Sequence, residues 1–395
     1  MKQRNPLLIV ILALGVFGII TTEIGVVGVL PRITEKFGVT ASQSGLLVSL
    51  FALVVAVSGP FLTLLASGMN RKRILLLSVL VFTISNVVYM ITDSYGVMML
   101  FRILPAFFHP VFFSVALVTA AKLVPPEKSG AAVTKVFAGI TVGFAFGVPL
   151  TSYLAEQFSL ETAFLFGALV NAAAFLGILF WLPSMPVGER MSYGKQLGIL
   201  RKPGLWLNIG AVMCLFAAMF SVYSYFAEYL GQVTRMSGSL ISALLMVFGL
   251  VMIAGNFLFG VMLQKSVTKT VMLFPLLYIV IYLLNYWMGP YLIPMLGMIV
   301  LWGIVHSGGL IISQTWLMDE SGEAPEFGNS LFVSFSNLGI TIGSAAGGWF
   351  ISRLGVHQLV WSGVLFAGLA FVLIVVKRNA FRSQTDPAGR RAAAE

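Results

Sequence analysis

"GITVGFAFG", residues 139 to 147, returns as "GITIGSAAG" at residues 339 to 347, with all three glycines aligned. Each copy sits inside a long apolar run, and its glycines fall at i, i+4 and i+8, on one face of a helix. A pattern that recurs at a long fixed offset points to an internal duplication. Two more correspondences support it: "SGPFLTLLASGMNRKR" at 58 to 73 aligns with "AGNFLFGVMLQKSVTK" at 254 to 269, and His109 aligns with His306. The longest polar interruption, "PSMPVGERMSYGKQLGILRKPG" at 183 to 204, separates the copies. The chain is therefore expected to hold an N-terminal half, 1–183, a cytoplasmic linker, 184–203, a C-terminal half, 204–378, and a disordered tail, 379–395.

Around these repeats the composition is that of a lipid-embedded chain: 58% of residues are hydrophobic and 10% charged, outside the balance of soluble globular proteins. A helix needs about 20 apolar residues to cross the hydrocarbon core. Twelve runs meet that length, near 6–30, 43–66, 73–92, 96–121, 131–155, 161–183, 204–231, 237–263, 270–288, 291–317, 328–352 and 356–376. The first is too long for a signal peptide and lacks a small-residue cleavage site, so it reads as helix 1. The expected fold is an all-α integral membrane protein, with twelve transmembrane helices in two parallel six-helix halves.

The net charge of +10 does not mark a nucleic-acid binder, because the basic residues are scattered among short loops. Their sidedness is informative. With twelve spans both termini lie on one side, which collects nineteen Lys and Arg against four (Arg32, Lys36, Arg235 and Arg353) on the other. The positive-inside rule then places both termini in the cytoplasm of a multi-pass inner-membrane protein. The single cysteine, Cys214, excludes an intrachain disulfide.

Parallel repeats about an axis along the membrane normal are the architecture of secondary transporters, which rock one half against the other around a midplane site. The chain contains no "GxxxxGK[ST]" nucleotide loop, no "HExxH" and no "GxSxG". An intramembrane enzyme is accordingly disfavoured, no cofactor or metal is expected, and the partners are a small-molecule solute, protons and the bilayer, with the protein acting as a monomer.

"LGVFGIITTEIGVVGVLPRI", 14 to 33, would be a plain apolar helix without Glu23. Arg102 in helix 4 lies at a similar depth, and a membrane-interior charge is costly unless it meets a partner or water. Burial favours the protonated form of a carboxyl and a nearby guanidinium the ionised form. A movement that separates the two would promote proton uptake, so Glu23 is the expected coupling acid, with Arg102 tuning its proton affinity; a fixed ion pair holding helices 1 and 4 is the structural alternative. His109 and His306, expected to face each other across the halves, can bind solute or pass a proton, or can be neutral and packed. Ser307, Gln314 and Trp316 follow His306 on helix 10 and favour cavity lining there. Gly139, Gly143 and Gly147, ending at Pro149, permit close helix packing or a sliding contact between the halves. Asn337 precedes the matching stripe as a cavity residue or an interhelical bond. The acidic stretch 319–328 reads as a solvated connection.

Several stretches resemble the major facilitator superfamily, and within it the bacterial drug/proton antiporter group that includes sugar-efflux and purine-efflux proteins. "TTEIGVVGVLPRI" resembles that group's helix 1 signature, and "RKRILL" at 71 to 76 the basic end of the loop after helix 2. "FRILPAFFHPVFFSVA" at 101 to 116 is similar to the sugar-efflux helix 4 motif, "GITVGFAFGVPL" at 139 to 150 to the exporter motif on helix 5, and "YSYFAEYL" at 223 to 230 to that branch's helix 7. Ser67 and Gly68 depart from the superfamily's usual Asp and Arg in the loop before helix 3. The resemblance implies export of a sugar, nucleoside or drug-like solute by proton antiport, with import by symport or facilitation as the alternative. It implies gating by Arg71 and Arg73 and by the glycine stripe, solute contacts from Tyr223 and Tyr225, and an outer gate or second proton site at Tyr225 and Glu228. At Tyr223, Tyr225 and Glu228, ordinary interface residues remain the competing reading.

Overall fold

The computed structural model describes residues 5–66, 69–185, 197–321 and 325–380. Among them twelve helices are long and apolar enough to span a membrane. They are α1 (Pro6–Phe37), α2 (Ala41–Gly59), α3 (Arg71–Ile91), α4 (Tyr95–Lys122), α5 (Lys135–Gln157), α6 (Leu160–Trp181), α7 (Pro203–Gln232), α8 (Gly238–Lys265), α9 (Val267–Met288), α10 (Leu292–Glu320), α11 (Leu331–Leu354) and α12 (Val356–Ala380). With an even number of spans, the first and last described residues lie on one face, here called the near face. Ser67 and Gly68, most of the linker and the tail from 381 lie outside the described residues, as do 322–324 of the acidic stretch.

The expected fold is present: two six-helix bundles, joined chiefly where α2 meets α11 and α5 meets α8. Helix ends were the less legible part. α1 continues to Phe37 and α12 to Ala380, beyond the apolar runs that suggested their limits. Polar contacts extend them: in the last turns of α1, Arg32 bonds Glu156 at 2.6 Å and Lys36 bonds Glu161 at 2.7 Å. Gly38 closes that helix in the left-handed region, at φ 63°, where glycine carries no steric cost.

Four spans are interrupted near the middle or far end. α1 changes from α-helix (Asn5–Ile24) to a 3₁₀ stretch (Gly25–Val29) before resuming at Leu30, with Pro31 at the restart. α4 breaks between Ala106 and His109, bracketed by Pro105 and Pro110. α5 carries a π-turn at Gly143–Gly147 just before Pro149, and α7 breaks between Tyr223 and Phe226. Proline removes a backbone donor and frees a carbonyl four residues earlier. Such openings in lipid are tolerated only where protein groups satisfy the freed backbone.

The two glycine stripes do equivalent work in their own halves. A Cβ on Gly139 would stand 2.5 Å from Ala13 O, and one on Gly143 2.4 Å from Ile20, so α5 packs against α1. A Cβ on Gly339 would stand 2.5 Å from Met213 O and one on Gly343 2.5 Å from Ala217 O, so α11 packs against α7 in the same way. The stripe of Gly139, Gly143 and Gly147 is therefore a contact within the first half, which corrects the expected sliding contact between halves. The opposite face of α5 supplies that contact: Gly249 of α8 packs on the carbonyl of Ala145, the residue four before Pro149.

Candidate functional site

Between the halves lies a cavity of about 410 Å³, within the range of small-molecule sites. Glu23 and His109 line it from the first half, with Phe113, Ser114 and Phe144; Phe216, Phe220, Ser334, Ser336 and Asn337 line it from the second. The wall combines six phenylalanine rings with eight Ile, Leu and Val side chains, and six polar residues stand among them. That composition suits a solute with an apolar face and several hydrogen-bonding groups.

Glu23 and His109 are 6% and 5% exposed, and His109 Nε2 lies 2.9 Å from Glu23 Oε2. The approach is close but not well aligned, so neither ring nitrogen has a directed hydrogen bond among the described residues. The ring leans on Phe113, with centroids 4.6 Å apart, and meets Phe51 edge-on at 5.9 Å. His109 owes its position to the break in α4, where it is the first residue of the second helical piece.

Arg102 does not pair with the Glu23 carboxylate, contrary to expectation. Its Nε donates to Leu47 O at 2.9 Å, one terminal nitrogen to Thr22 O at 2.5 Å and the other to the Glu23 carbonyl, while the guanidinium covers the Phe51 ring at 4.5 Å. The reason lies in the backbone. The first piece of α1 ends at Ile24, so the carbonyls of its last turn have lost their helical donors. A buried cation at the negative end of a helix satisfies them. Arg102 thus caps broken α1 and ties it to α2 and α4, leaving the carboxylate to His109.

A second polar cluster was not anticipated. Thr22 Oγ1 accepts from Asn86 Nδ2 at 2.9 Å and from Asn171 Nδ2 at 3.1 Å, and donates to Gly18 O at 2.9 Å. Asn86 and Asn171 are single amides in the apolar helices α3 and α6, a pattern that marks interhelical bonds in membranes. They fix the α1 turn that carries Glu23.

Across the cavity, Asn337 donates to Val333 O at 2.9 Å, while its Oδ1 and the hydroxyl of Ser334 have no partner among the described residues. His306 does not face His109. It lies outside the cavity lining, its Nδ1 2.6 Å from the Tyr278 hydroxyl, enclosed by the rings of Phe220, Tyr223, Phe248 and Trp302. Tyr223 belongs to the same aromatic enclosure, and Gln314 also lies off the cavity wall. The repeat aligned the two histidines in sequence, but bulky aromatic neighbours fill the second half where the first leaves a space.

The far-face residues close the molecule. Tyr225, at the break in α7, donates to Ser344 O at 2.9 Å, and its hydroxyl fits between Gly45 of α2 and Gly348 of α11, where side chains would collide with it. Tyr225 therefore lies in the seam between the halves and not on the cavity. Glu228 accepts from Gln232 and lines a separate far-face crevice of about 460 Å³ with Arg32, Glu35 and Glu156. At the near face the Arg71 N–H donates to Met185 O at 3.1 Å, and neither Arg71 nor Arg73 joins an ion pair among the described residues.

The Major Facilitator Superfamily model matches residues 12–326 and 209–394. The chain belongs to that family. It is thus a transporter and not an enzyme. Among its relatives, the inner membrane transport protein YdhP of Escherichia coli (strain K12) is 33% identical over 375 residues, 95% of this chain and 96% of that protein. A probable sugar efflux transporter of Helicobacter pylori (strain G27) is 26% identical over 376 residues, 93% and 96% of the two chains. In fold, the chain is similar to a bacterial homolog of the human lysosomal transporter Spinster, solved in an inward-facing, occupied conformation, with a TM-score of 0.78 at 19% identity, covering 98% of this chain and all of that one.

Proposed function

We propose that the protein is an inner-membrane exporter that moves a small, uncharged organic solute outward in exchange for protons, by alternating access between its two halves. The observation that carries this reading is the Glu23–His109 pair, 2.9 Å apart on the wall of the cavity between the halves. A carboxylate and an imidazole in contact can exchange a proton, and a solute that hydrogen-bonds to either one competes for the same group. Competition between solute and proton at one site is the minimum that antiport requires.

The near face, which collects the excess of Lys and Arg, is taken as cytoplasmic. In the state described, Tyr225 and the α5–α8 seam join the halves at the outer face. An inward-moving proton gains about 2.3 kcal/mol per 100 mV, enough to drive solute outward without a nucleotide. The relatives named for inner-membrane transport and for sugar efflux favour export, and a wall of phenyl and aliphatic side chains with Asn337, Ser334 and Ser336 fits a sugar or nucleoside with an apolar face. One chain encloses the whole cavity, so a monomer suffices.

The test is reconstitution in liposomes containing a pH-sensitive dye, with a panel of sugars, nucleosides and cationic drugs added in turn. An exporter of this kind gives proton movement that depends on one class of uncharged solute. Solute flux without proton movement would overturn antiport, and flux of none of the panel would overturn the solute class.

A further inference from the structure

The α5–α8 seam joins the two halves at three levels. Deepest, Gly249 lies against the Ala145 carbonyl, where an added Cβ would come within 2.2 Å. One level outward, Ser152 Oγ and Ser242 Oγ are 2.8 Å apart. At the rim, the Glu156 carboxylate covers Gly238, the first residue of α8, so closely that a Cβ there would stand 2.2 Å from Oε2. Only this outermost level carries a charge.

That charge is held by its own half and directed at the other. Arg32 on α1 grips Glu156 at 2.6 Å and also reaches Glu35 at 3.3 Å. The first turn of α8, capped by Ser237, has amide groups with no helical acceptor and the positive end of a 28-residue helix. A carboxylate over that turn attracts it, and glycine is the one residue that leaves the carboxylate room.

We propose that Glu156 is the latch of the outer gate: oriented by Arg32, it clamps the start of α8 when the outer face is shut, and the contact is lost when the halves part. Glu156 touches neither the cavity nor the Glu23–His109 pair, so it acts as a positioning residue that sets how long the outer face stays closed. The latch rests on the alternating cycle proposed above.

The experiment uses the full-length protein in membranes, with Cys214→Ser and the pair Ser152→Cys and Ser242→Cys. The two hydroxyls touch across the seam, 2.8 Å apart, so thiols in their place meet only while the seam is closed, and the rate of oxidative cross-linking reports the time the outer face spends shut. The parent pair is expected to cross-link, and to stop solute flux until reduced. Glu156→Gln, which keeps the shape of the side chain, and Gly238→Ala, which displaces it, are each expected to slow cross-linking several-fold. Glu35→Gln, at a side chain 74% exposed and bonded among the described residues only to Arg32, is expected to leave the rate unchanged. Parental rates in both Glu156→Gln and Gly238→Ala would overturn the latch, as would equal slowing by Glu35→Gln. A cross-linked pair that still transports at full rate would instead overturn the alternating cycle, and the latch with it.

Discussion

Arg102 shows how far a single residue could be read. Its depth, beside that of Glu23, followed from counting along two apolar runs, and the two do meet. Which atoms meet did not follow, because the competitor for the guanidinium is a set of backbone carbonyls exposed by a helix break that no hydropathy pattern marks. Glu23, His109 and Asn337 were legible because an ionisable or amide group is conspicuous in an apolar run. His306 was equally conspicuous but lies among aromatic side chains, whose packing only the assembled bundle decides. The capping role makes a definite prediction. Arg102→Lys keeps the charge but cannot present the planar fork that reaches three carbonyls. It should lower stability by about 1.5–3 kcal/mol, the range for hydrogen bonds to charged groups, read as a lower melting temperature in detergent. A melting temperature equal to wild type would mean that the carbonyls are satisfied without Arg102.

Among the helices, the glycine stripes bridge sequence and structure. Their recurrence revealed the duplication, and their spacing showed that something packs closely against them. The partner was not legible, since one helix face can serve a neighbour in the same half or in the other. The contacts distinguish the positions. A Cβ at Gly139 meets the backbone oxygen of Ala13, and one at Gly143 meets Cγ2 and Cβ of Ile20 at 2.4 and 2.7 Å, a Cβ that no side-chain rotation moves, whereas one at Gly260 of α8 meets nothing within 4 Å. Gly139→Ala and Gly143→Ala should therefore each destabilise within the roughly 1–3 kcal/mol typical of overpacking, and Gly260→Ala should not, as thermal unfolding of the three variants will show. Unchanged stability in the first two would place the tight α1–α5 contact elsewhere. The breaks in α1, α4 and α5 lie beside prolines, whereas residues 211–230, around the break in α7, hold neither proline nor glycine. The breaks matter because they create the positions of Arg102, His109 and Tyr225.

For the whole molecule, the twelve-span fold and its twofold repeat were written in composition, run length and recurrence, because lipid allows few alternatives to a bundle of helices. The site is less symmetrical than the fold. The first half carries the titratable pair; the second contributes phenyl rings, Asn337 and serines to the same cavity, and fills the space around its own histidine with aromatic side chains. In the proposed mechanism, proton handling falls to the first half and much of the solute contact to the second, so the rocking movement would itself separate or join the two tasks. The measurement that tests this most directly compares two modes of transport by Glu23→Gln in liposomes, using a solute the wild type moves. With Glu23 as the coupling acid, the variant retains solute exchange across the membrane, which needs only rocking, and loses the proton movement that accompanies net flux. Net flux with wild-type proton movement in Glu23→Gln would contradict it and place coupling at another residue.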